Sequence, residues 1–427
     1  MNPIRHELRL LMRARFAVAA LLLLALLAAA SVVAGLAEIR HQRQVIERIQ
    51  PQQATDVAAI AEWVSKIEDP GSAAYYTFHP TWDSPSSLAF AALGTRDIAP
   101  YILRVRALGL EAQLYDGETF NPELALPGRF DFSFVLVYLA PLFVIALFHD
   151  LWSSEREAGR YVMLKSLSRG RQLWWRRAGL RFGFLYAALA IPLLTGALLS
   201  AAPVQPLALI LLLIAVYLAF WALVAVAIAR RGWNSATNAA TLAACWLVLT
   251  LVLPTLSHIV INRAIPVGQG VELTLAQREA VNRAWDIPRE TTMQRFFANH
   301  PEWRDTPPLP VDFHWKWYFA FHQVGDESVS GQVRAYRQGL EARNAAARTL
   351  GWVLPPVGVQ AALARIAETD LDAQLAYQDR IRAYHSDLRK FYYRYLFNDL
   401  PFQPADFARA PTFGSSNDPR NGRHSGN

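Results

Sequence analysis

FGFLYAALAIPLLTGALLSAAPVQPLALILLLIAVYLAFWALVAVAIA, residues 182–229, runs for 48 residues without an Asp, Glu, Lys or Arg. An uncharged apolar run of about 18 residues already reaches across a bilayer core as a helix. This one is long enough for two crossings, and Ala202-Pro203-Val204-Gln205-Pro206 marks the turn between them. Phe16–Ala37, Phe132–Phe148 and Gly232–Asn262 are equally free of charge. The expected fold is therefore all-α: a polytopic membrane protein with five transmembrane helices, at 16–37, 131–150, 180–201, 206–229 and 239–261.

Charge gives an expected orientation. Met1–Arg15, Leu151–Arg181 and Arg230–Arg231 hold 14 Lys/Arg against 3 Asp/Glu, whereas 38–130 and 263–427 hold 28 against 30. Basic residues accumulate on the cytoplasmic side of spans. Five spans put all three basic segments on that side, with the N-terminus in and the C-terminus out. The net charge of +7 is thus read as a topology signal, and no nucleic-acid partner is expected. A cleaved signal peptide is the alternative for the first span, but its 22 apolar residues exceed the usual core of about 7–15. The single cysteine, Cys245, allows no disulfide framework and no cysteine-based metal site.

Between the spans, residues 1–15 pattern as an amphipathic helix with Ile4, Leu8, Leu11 and Met12 on one face. A helix on the inner headgroups and a basic flank that merely orients the first span both account for it. The extracytoplasmic segment 38–130 opens helically through Trp63 and then turns loop-like. It is expected to pack on the second extracytoplasmic segment, 262–413, rather than fold alone. In that second segment Thr274-Leu275-Ala276-Gln277 fits a capping box. Val329 to Leu350 and Leu371 to Tyr395 carry helical periodicity, interrupted by apolar Gly351-Trp352-Val353-Leu354-Pro355-Pro356-Val357, which is placed at the outer leaflet or capping the spans. The tail 414–427 has nothing apolar to bury and is expected to be disordered.

The connector 151–179 contains Ser154-Glu155-Arg156-Glu157-Ala158-Gly159. Ser154 and Glu157 fit a capping box, and Arg160, Lys165, Arg169 and Arg171 follow. A short capped helix at the inner surface is expected, with Ser154 as its cap; an ordinary capped connector is the plainer reading. Trp174-Trp175-Arg176-Arg177 reads as an anchor at the membrane interface.

These residues carry a family resemblance. Gly128-Arg-Phe-Asp-Phe-Ser-Phe134, Tyr138-Leu-Ala-Pro-Leu142 and Glu155-Arg-Glu-Ala-Gly159 resemble the permease subunits of ABC-2-type ATP-binding-cassette transporters. The likeness is to the DUF3526 subgroup, with its relatives of the NosY and gliding-motility permeases. It continues through Ser84-Pro85-Ser86, Leu354-Pro355-Pro356, Ala367-Glu-Thr-Asp370 and Ala405-Asp406-Phe407. It implies that the connector is a coupling helix docking on a cytoplasmic ATPase through Glu155, Arg156, Glu157 and Gly159. It also implies that 1–15 is an elbow helix, and that the protein pairs with a second permease subunit or a copy of itself in a bacterial inner membrane. The family pattern places a sixth span after the segment matching Pro404–Phe413, where this sequence continues into the polar tail.

No phosphate-binding Gly-x-x-x-x-Gly-Lys-Ser/Thr loop, His-Glu-x-x-His or Gly-x-Ser-x-Gly occurs. No catalytic residue and no cofactor is therefore expected, and ATP hydrolysis falls to the partner. His79, His300, His314 and His322, with the aromatics around them, have the composition of a copper or haem site. Scattered histidines of this kind are more often surface or interface residues, and no metal is expected. His149-Asp150 is read as an interfacial pair rather than a proton carrier. The competing function is a non-transporting five-span scaffold holding a periplasmic partner.

Overall fold

A computed structural model describes residues 3–116, 130–166, 170–309 and 313–414. The expected tail apart from Gly414, the Gly128-Arg129 start of the first motif and Arg169 lie outside them. The described chain is mostly helical: α1 Pro3–Arg13, α2 Arg15–Glu47, α3 Ile49–Val64 and α4 Pro70–Tyr76 come first. A two-stranded ribbon follows, β1 His79–Trp82 and β2 Ile102–Val105, then α5 Leu110–Tyr115. Next are α6 Phe132–Phe134, α7 Ala140–Phe148, α8 Ser153–Glu157, α9 Tyr161–Ser166, α10 Gly170–Leu199 and α11 Val204–Ala229. The rest comprises α12 Ser235–Leu247, α13 Leu253–Ala264, α14 Gly270–Arg283, α15 Arg289–Asn299, α16 Trp315–Gly351, α17 Pro355–Ile366 and α18 Leu371–Leu396.

Among the described residues five helices are long and apolar enough to cross a membrane: Arg15–Val64, Phe132–Glu157, Gln172–Leu199, Val204–Ala229 and Ser235–Ala264. The first continues well past the expected end at 37. The second is the centre of the bundle, with α7 packed on α2, α10, α11 and α12. It contains a π-helical stretch, Val135–Leu139, just before Pro141. Proline has no N–H to give the carbonyl four residues back, here that of Val137. The Tyr217 hydroxyl donates to that carbonyl at 2.8 Å, and the Trp246 indole N–H donates to the Tyr138 carbonyl at 3.1 Å. Neighbouring helices therefore satisfy the backbone groups that the irregular turn frees, which apolar surroundings demand.

Leu88–Leu93 is not helical, yet all six residues are buried in the same core as the apolar helices. Its backbone is satisfied from several sides: the Leu93 N–H donates to Asp131 at 2.9 Å, the Ser133 N–H to the Ala91 carbonyl at 2.9 Å, and the Thr369 hydroxyl to the Ala92 carbonyl at 2.9 Å. Gly35 of α2 and Gly196 of α10 make room for it. A Cβ on Gly35 would overlap the Phe90 carbonyl, and one on Gly196 would come within 2.7 Å of the Phe90 ring.

The two polar segments form a joint unit. Val64, Ala73, Ala107 and Leu108 of the first share a core with Phe296, Phe319, Phe321, Tyr392 and Phe402 of the second. Asp83 ties that unit to α2: it accepts from Arg96 and Arg380, and Arg96 also donates to Gln42 on α2 at 3.0 Å. The loop-like reading of the first segment missed α4, started by Asp69, whose carboxylate accepts from the Gly71 and Ser72 N–H groups. It also missed the antiparallel pairing of β1 with β2, a small departure from an all-α fold. The capping box at Thr274 does not form. Helix α14 begins four residues earlier at Gly270, so Thr274 and Gln277 are buried mid-helix, Gln277 donating to Asp326 at 3.1 Å.

Gly35→Ala therefore crowds the Leu88–Leu93 turn and is expected to destabilise the protein by roughly 1–3 kcal/mol. Gly331→Ala, on α16 with nothing within 4 Å of the new Cβ, should be neutral or stabilising by up to about 1 kcal/mol. Thermal midpoints of the two variants in detergent separate these outcomes; equal midpoints contradict the packing described.

Candidate functional site

Helix α8 is five residues long, and its side chains hydrogen-bond to three other helices, α10, α11 and α12. Backbone continuity explains its start. The Ser154 N–H donates to the Asp150 carbonyl at 3.1 Å and the Arg156 N–H to Trp152 at 3.2 Å, so the turn from α7 already supplies acceptors. The expected cap at Ser154 is thereby overturned: its hydroxyl donates back to the Asp150 carbonyl at 2.7 Å, and the residue before the helix is Trp152. The C-terminal end is a Schellman turn, with the Gly159 N–H donating to Arg156 at 2.9 Å and the Arg160 N–H to Glu155 at 2.9 Å. Gly159 takes the left-handed conformation that this turn needs, with φ of +71°.

Glu155 is buried and accepts from Arg177 of α10 at 2.7 Å and from Arg160 at 2.8 Å. Arg177 in turn donates to Glu7 of α1 at 2.9 Å, so one guanidinium bridges two carboxylates from different elements. Arg156 donates to the Ala229 carbonyl at 3.2 Å and to Trp233 at 3.0 Å, placing a positive charge on the open C-terminal carbonyls of α11. Glu157 faces the opposite pole. It accepts from the Ser235 N–H at 2.6 Å and hydroxyl at 3.0 Å at the start of α12, where negative charge is favoured. Ser153 and Ser235 share a further hydrogen bond at 2.7 Å, and Asn238 donates to the His149 carbonyl at 3.2 Å. Arg181 pairs with Asp150 at 3.0 Å.

The expected interface anchor divides in two. Trp174 is buried and stacks on Trp152 with ring centroids 5.6 Å apart, and Arg177 lies 5.4 Å over it. Trp175 is exposed, and Arg176 makes an exposed hydrogen bond to Gln172 at 3.0 Å. Trp174 and Arg177 thus belong to the joint, because the helix turns them toward α8 while Trp175 and Arg176 turn away. On α1, likewise, Leu11 is buried and Glu7 with it, but Met12 is exposed.

The surface beside this joint is α9. Val162 is 77% exposed and Met163 61%, next to exposed Arg160 and Lys165. Of the four expected contact residues, Glu155 is buried and Arg156 half-buried in internal contacts, and Glu157 is exposed while holding α12; Gly159 is exposed. Sequence reasoning did not single out α9, whose only signal is the short apolar run Tyr161-Val162-Met163-Leu164 between Arg160 and Lys165.

The histidines do other work. Burial pushes His79 down to about 3, beside the Tyr392 hydroxyl at 3.1 Å. Burial, with Arg389 and Arg106 nearby, pushes His322 down to about 3, and burial with Arg389 holds His385 well below its usual value. Glu327 raises His300 through a 2.6 Å contact. His314 accepts from the Lys316 N–H at 3.2 Å at the start of α16. Among the described residues no group of three or more His, Cys, Asp or Glu is placed to hold a metal ion.

Among the described residues the molecule thus has five helices of membrane-crossing length and composition, with α8 joining the ends of α10, α11 and α12, and a polar helical unit beside them. Residues 271–415, about a third of the chain, match the family model described as "Domain of unknown function (DUF3526)". The match runs from α14 through α18 and lies in the polar unit and the α16–α17 hairpin. No curated protein and no solved structure matches the chain.

Two predictions follow from this geometry. Glu155→Gln leaves Arg177 short of one buried partner and should cost roughly 3–5 kcal/mol, while adding Arg177→Met together with Glu7→Gln, so that no carboxylate is stranded, should recover much of the loss; if the triple variant is no more stable than the single one in detergent unfolding, the cluster does not set stability here. His79, His322 and His385 are neutral when folded, so the unfolded state binds more protons below its value of about 6.5. Stability is full above that pH and falls toward 3, by up to about 1.4 kcal/mol per group per pH unit, with His300 opposing as a single raised group. The thermal midpoint should therefore drop between pH 7.5 and 5.5; a flat or rising midpoint contradicts it.

Proposed function

We propose that this chain is the membrane-spanning permease subunit of an ABC-2-type transporter in a bacterial inner membrane, with the end carrying α1, α8 and α9 on the cytoplasmic side. A separate cytoplasmic ATPase hydrolyses ATP, and a second permease subunit or a second copy completes the path. The direction is export or extraction from the membrane. The observation that carries this reading is α8, five residues whose charged side chains hold α10, α11 and α12 at once, with Arg177 of α10 linking on to α1. A push on such an element is delivered to several spans together, which is what a transmission element must do. The basic connectors on the same end fit a cytoplasmic placement. The resemblance in Glu155-Arg-Glu-Ala-Gly159 supports the same class, and the match over residues 271–415 supports the DUF3526 subgroup to which that resemblance points.

The docking contacts differ from those implied by resemblance alone. Glu155 and Arg156 act as positioning residues inside the joint, and Val162, Met163, Arg160 and Lys165 form the face presented to the ATPase. Exposed apolar side chains flanked by basic ones suit a partner groove with apolar pockets and an acidic rim.

Met163→Asp and Val162→Asp should each weaken copurification of the ATPase by at least about tenfold while leaving the thermal midpoint unchanged, because neither residue is packed within the chain. Undiminished ATPase binding by both variants removes α9 as the docking face. A preparation that carries no phosphate-loop ATPase at all favours the five-span scaffold instead.

A further inference from the structure

The strongest unexplained feature lies at the other end of the molecule. Helix α16 has 37 residues and carries charge along most of its length, but between Arg348 and Arg365 the chain holds 16 uncharged residues. That stretch contains the turn into α17, and the turn's tip is Trp352 and Val353, 91% and 75% exposed. In water such a tip would leave an indole and a branched aliphatic side chain fully solvated at the end of a long helix. The hairpin is tightly made: Gly351 and Gly358 face each other so closely that a Cβ on Gly351 would lie 2.7 Å from the Gly358 Cα. The two exposed residues are therefore held out by the turn's geometry.

The depth of the tip can be read from its neighbours. Helix α16 packs beside α13, with Arg343 donating to the Ile265 carbonyl at 2.8 Å and Gly339 against Val267. Residue numbers run in opposite directions along the two helices, so moving toward Trp352 on α16 means moving back toward Leu256 and Leu253 on α13. Trp352 lies nine residues past Arg343, about 13 Å at 1.5 Å per residue. Arg263 is the first charge after the run Gly232–Asn262, so the tip lies below that charged level, beside the uncharged, exposed Leu256 and above Leu251 near the middle of the run. Helix α17 continues the same layer. It packs on α11 and on the stretches Val135–Leu139 and Val248–Val252, and Val359, Leu363 and Ala367 enter the core of the apolar helices.

We infer that the α16–α17 hairpin is a lipid-inserting tip: Trp352 and Val353 enter the outer leaflet at the boundary between headgroups and acyl chains, with phospholipid as their partner. This rests on the membrane-spanning reading above. Tryptophan is favoured at that boundary because its ring is apolar and its N–H finds a headgroup or water acceptor. The consequence is mechanical. Helix α16 runs from the aromatic core of the polar unit to the bilayer surface, so the tip adds a lipid contact to the chain connections, α2–α3, α13–α14 and α17–α18, that already join that unit to the apolar helices.

The test uses the full chain in liposomes with Cys245→Ala, which removes the one native cysteine. Single cysteines are placed at Val353, at Leu251 as a mid-span reference and at Glu290 on α15 as a remote exposed reference. Each carries a polarity-sensitive fluorophore, and the bilayer carries nitroxide lipids labelled either near the headgroup or deep in the chain. The expected result is quenching of about twofold or more at Val353→Cys by the shallow nitroxide, stronger quenching of Leu251→Cys by the deep one, and none at Glu290→Cys. If Leu251→Cys is quenched and Val353→Cys emits as in water, the tip faces solvent and the inference fails while the spans stand. If Val353→Cys is shielded from water without nitroxide quenching, a protein surface covers it and the inference also fails. If Leu251→Cys is not quenched by either lipid, the membrane-spanning reading falls and takes the tip with it.

Discussion

One guanidinium, that of Arg177, lies between two carboxylates from opposite ends of the sequence's first half, Glu7 and Glu155. A buried arginine is stable only when its charge is matched and its donors are used. Meeting that requirement brings α1, α8 and α10 to one point, and Arg156 and Glu157 then extend the point to α11 and α12 through the poles of those helices. Apolar helices in lipid have little hydrophobic reason to choose one neighbour over another. Specific polar contacts at their ends are therefore well suited to set their arrangement, and here they converge on five residues.

The same logic recurs inside the bundle. Pro141 opens a carbonyl that Tyr217 closes, and the nonhelical Leu88–Leu93 turn is tolerated because Asp131, Ser133 and Thr369 satisfy its backbone. Each irregularity is closed by a partner distant in sequence.

The apolar helices were legible in the sequence because a run without charge depends on composition alone, and each expected run overlaps one helix of membrane-crossing length. Helices α16 and α18 were legible for the same kind of reason, a sustained 3.6-residue period. The capping boxes failed because four residues cannot say whether a helix has already begun. Ser154 follows a turn that supplies its own acceptors, and Thr274 sits a full turn inside α14. The joint itself was hidden because its bonds join residues 22, 78 and 170 positions apart, and no local pattern encodes which arginine a given glutamate will meet. Trp174 and Trp175 look identical in the chain, and only helix rotation decides that one is buried and the other exposed.

The central claim is that α8 exists to receive force from an ATPase through its neighbour α9. A photo-activated cross-linker placed at Met163, in cells expressing the full chain, tests it most directly. The account predicts capture of a single soluble chain containing a phosphate-binding Gly-x-x-x-x-Gly-Lys-Ser/Thr loop, with no such capture from the same cross-linker at Trp352. Cross-linking at Met163 only to lipid, or to a chain without that loop, would contradict it.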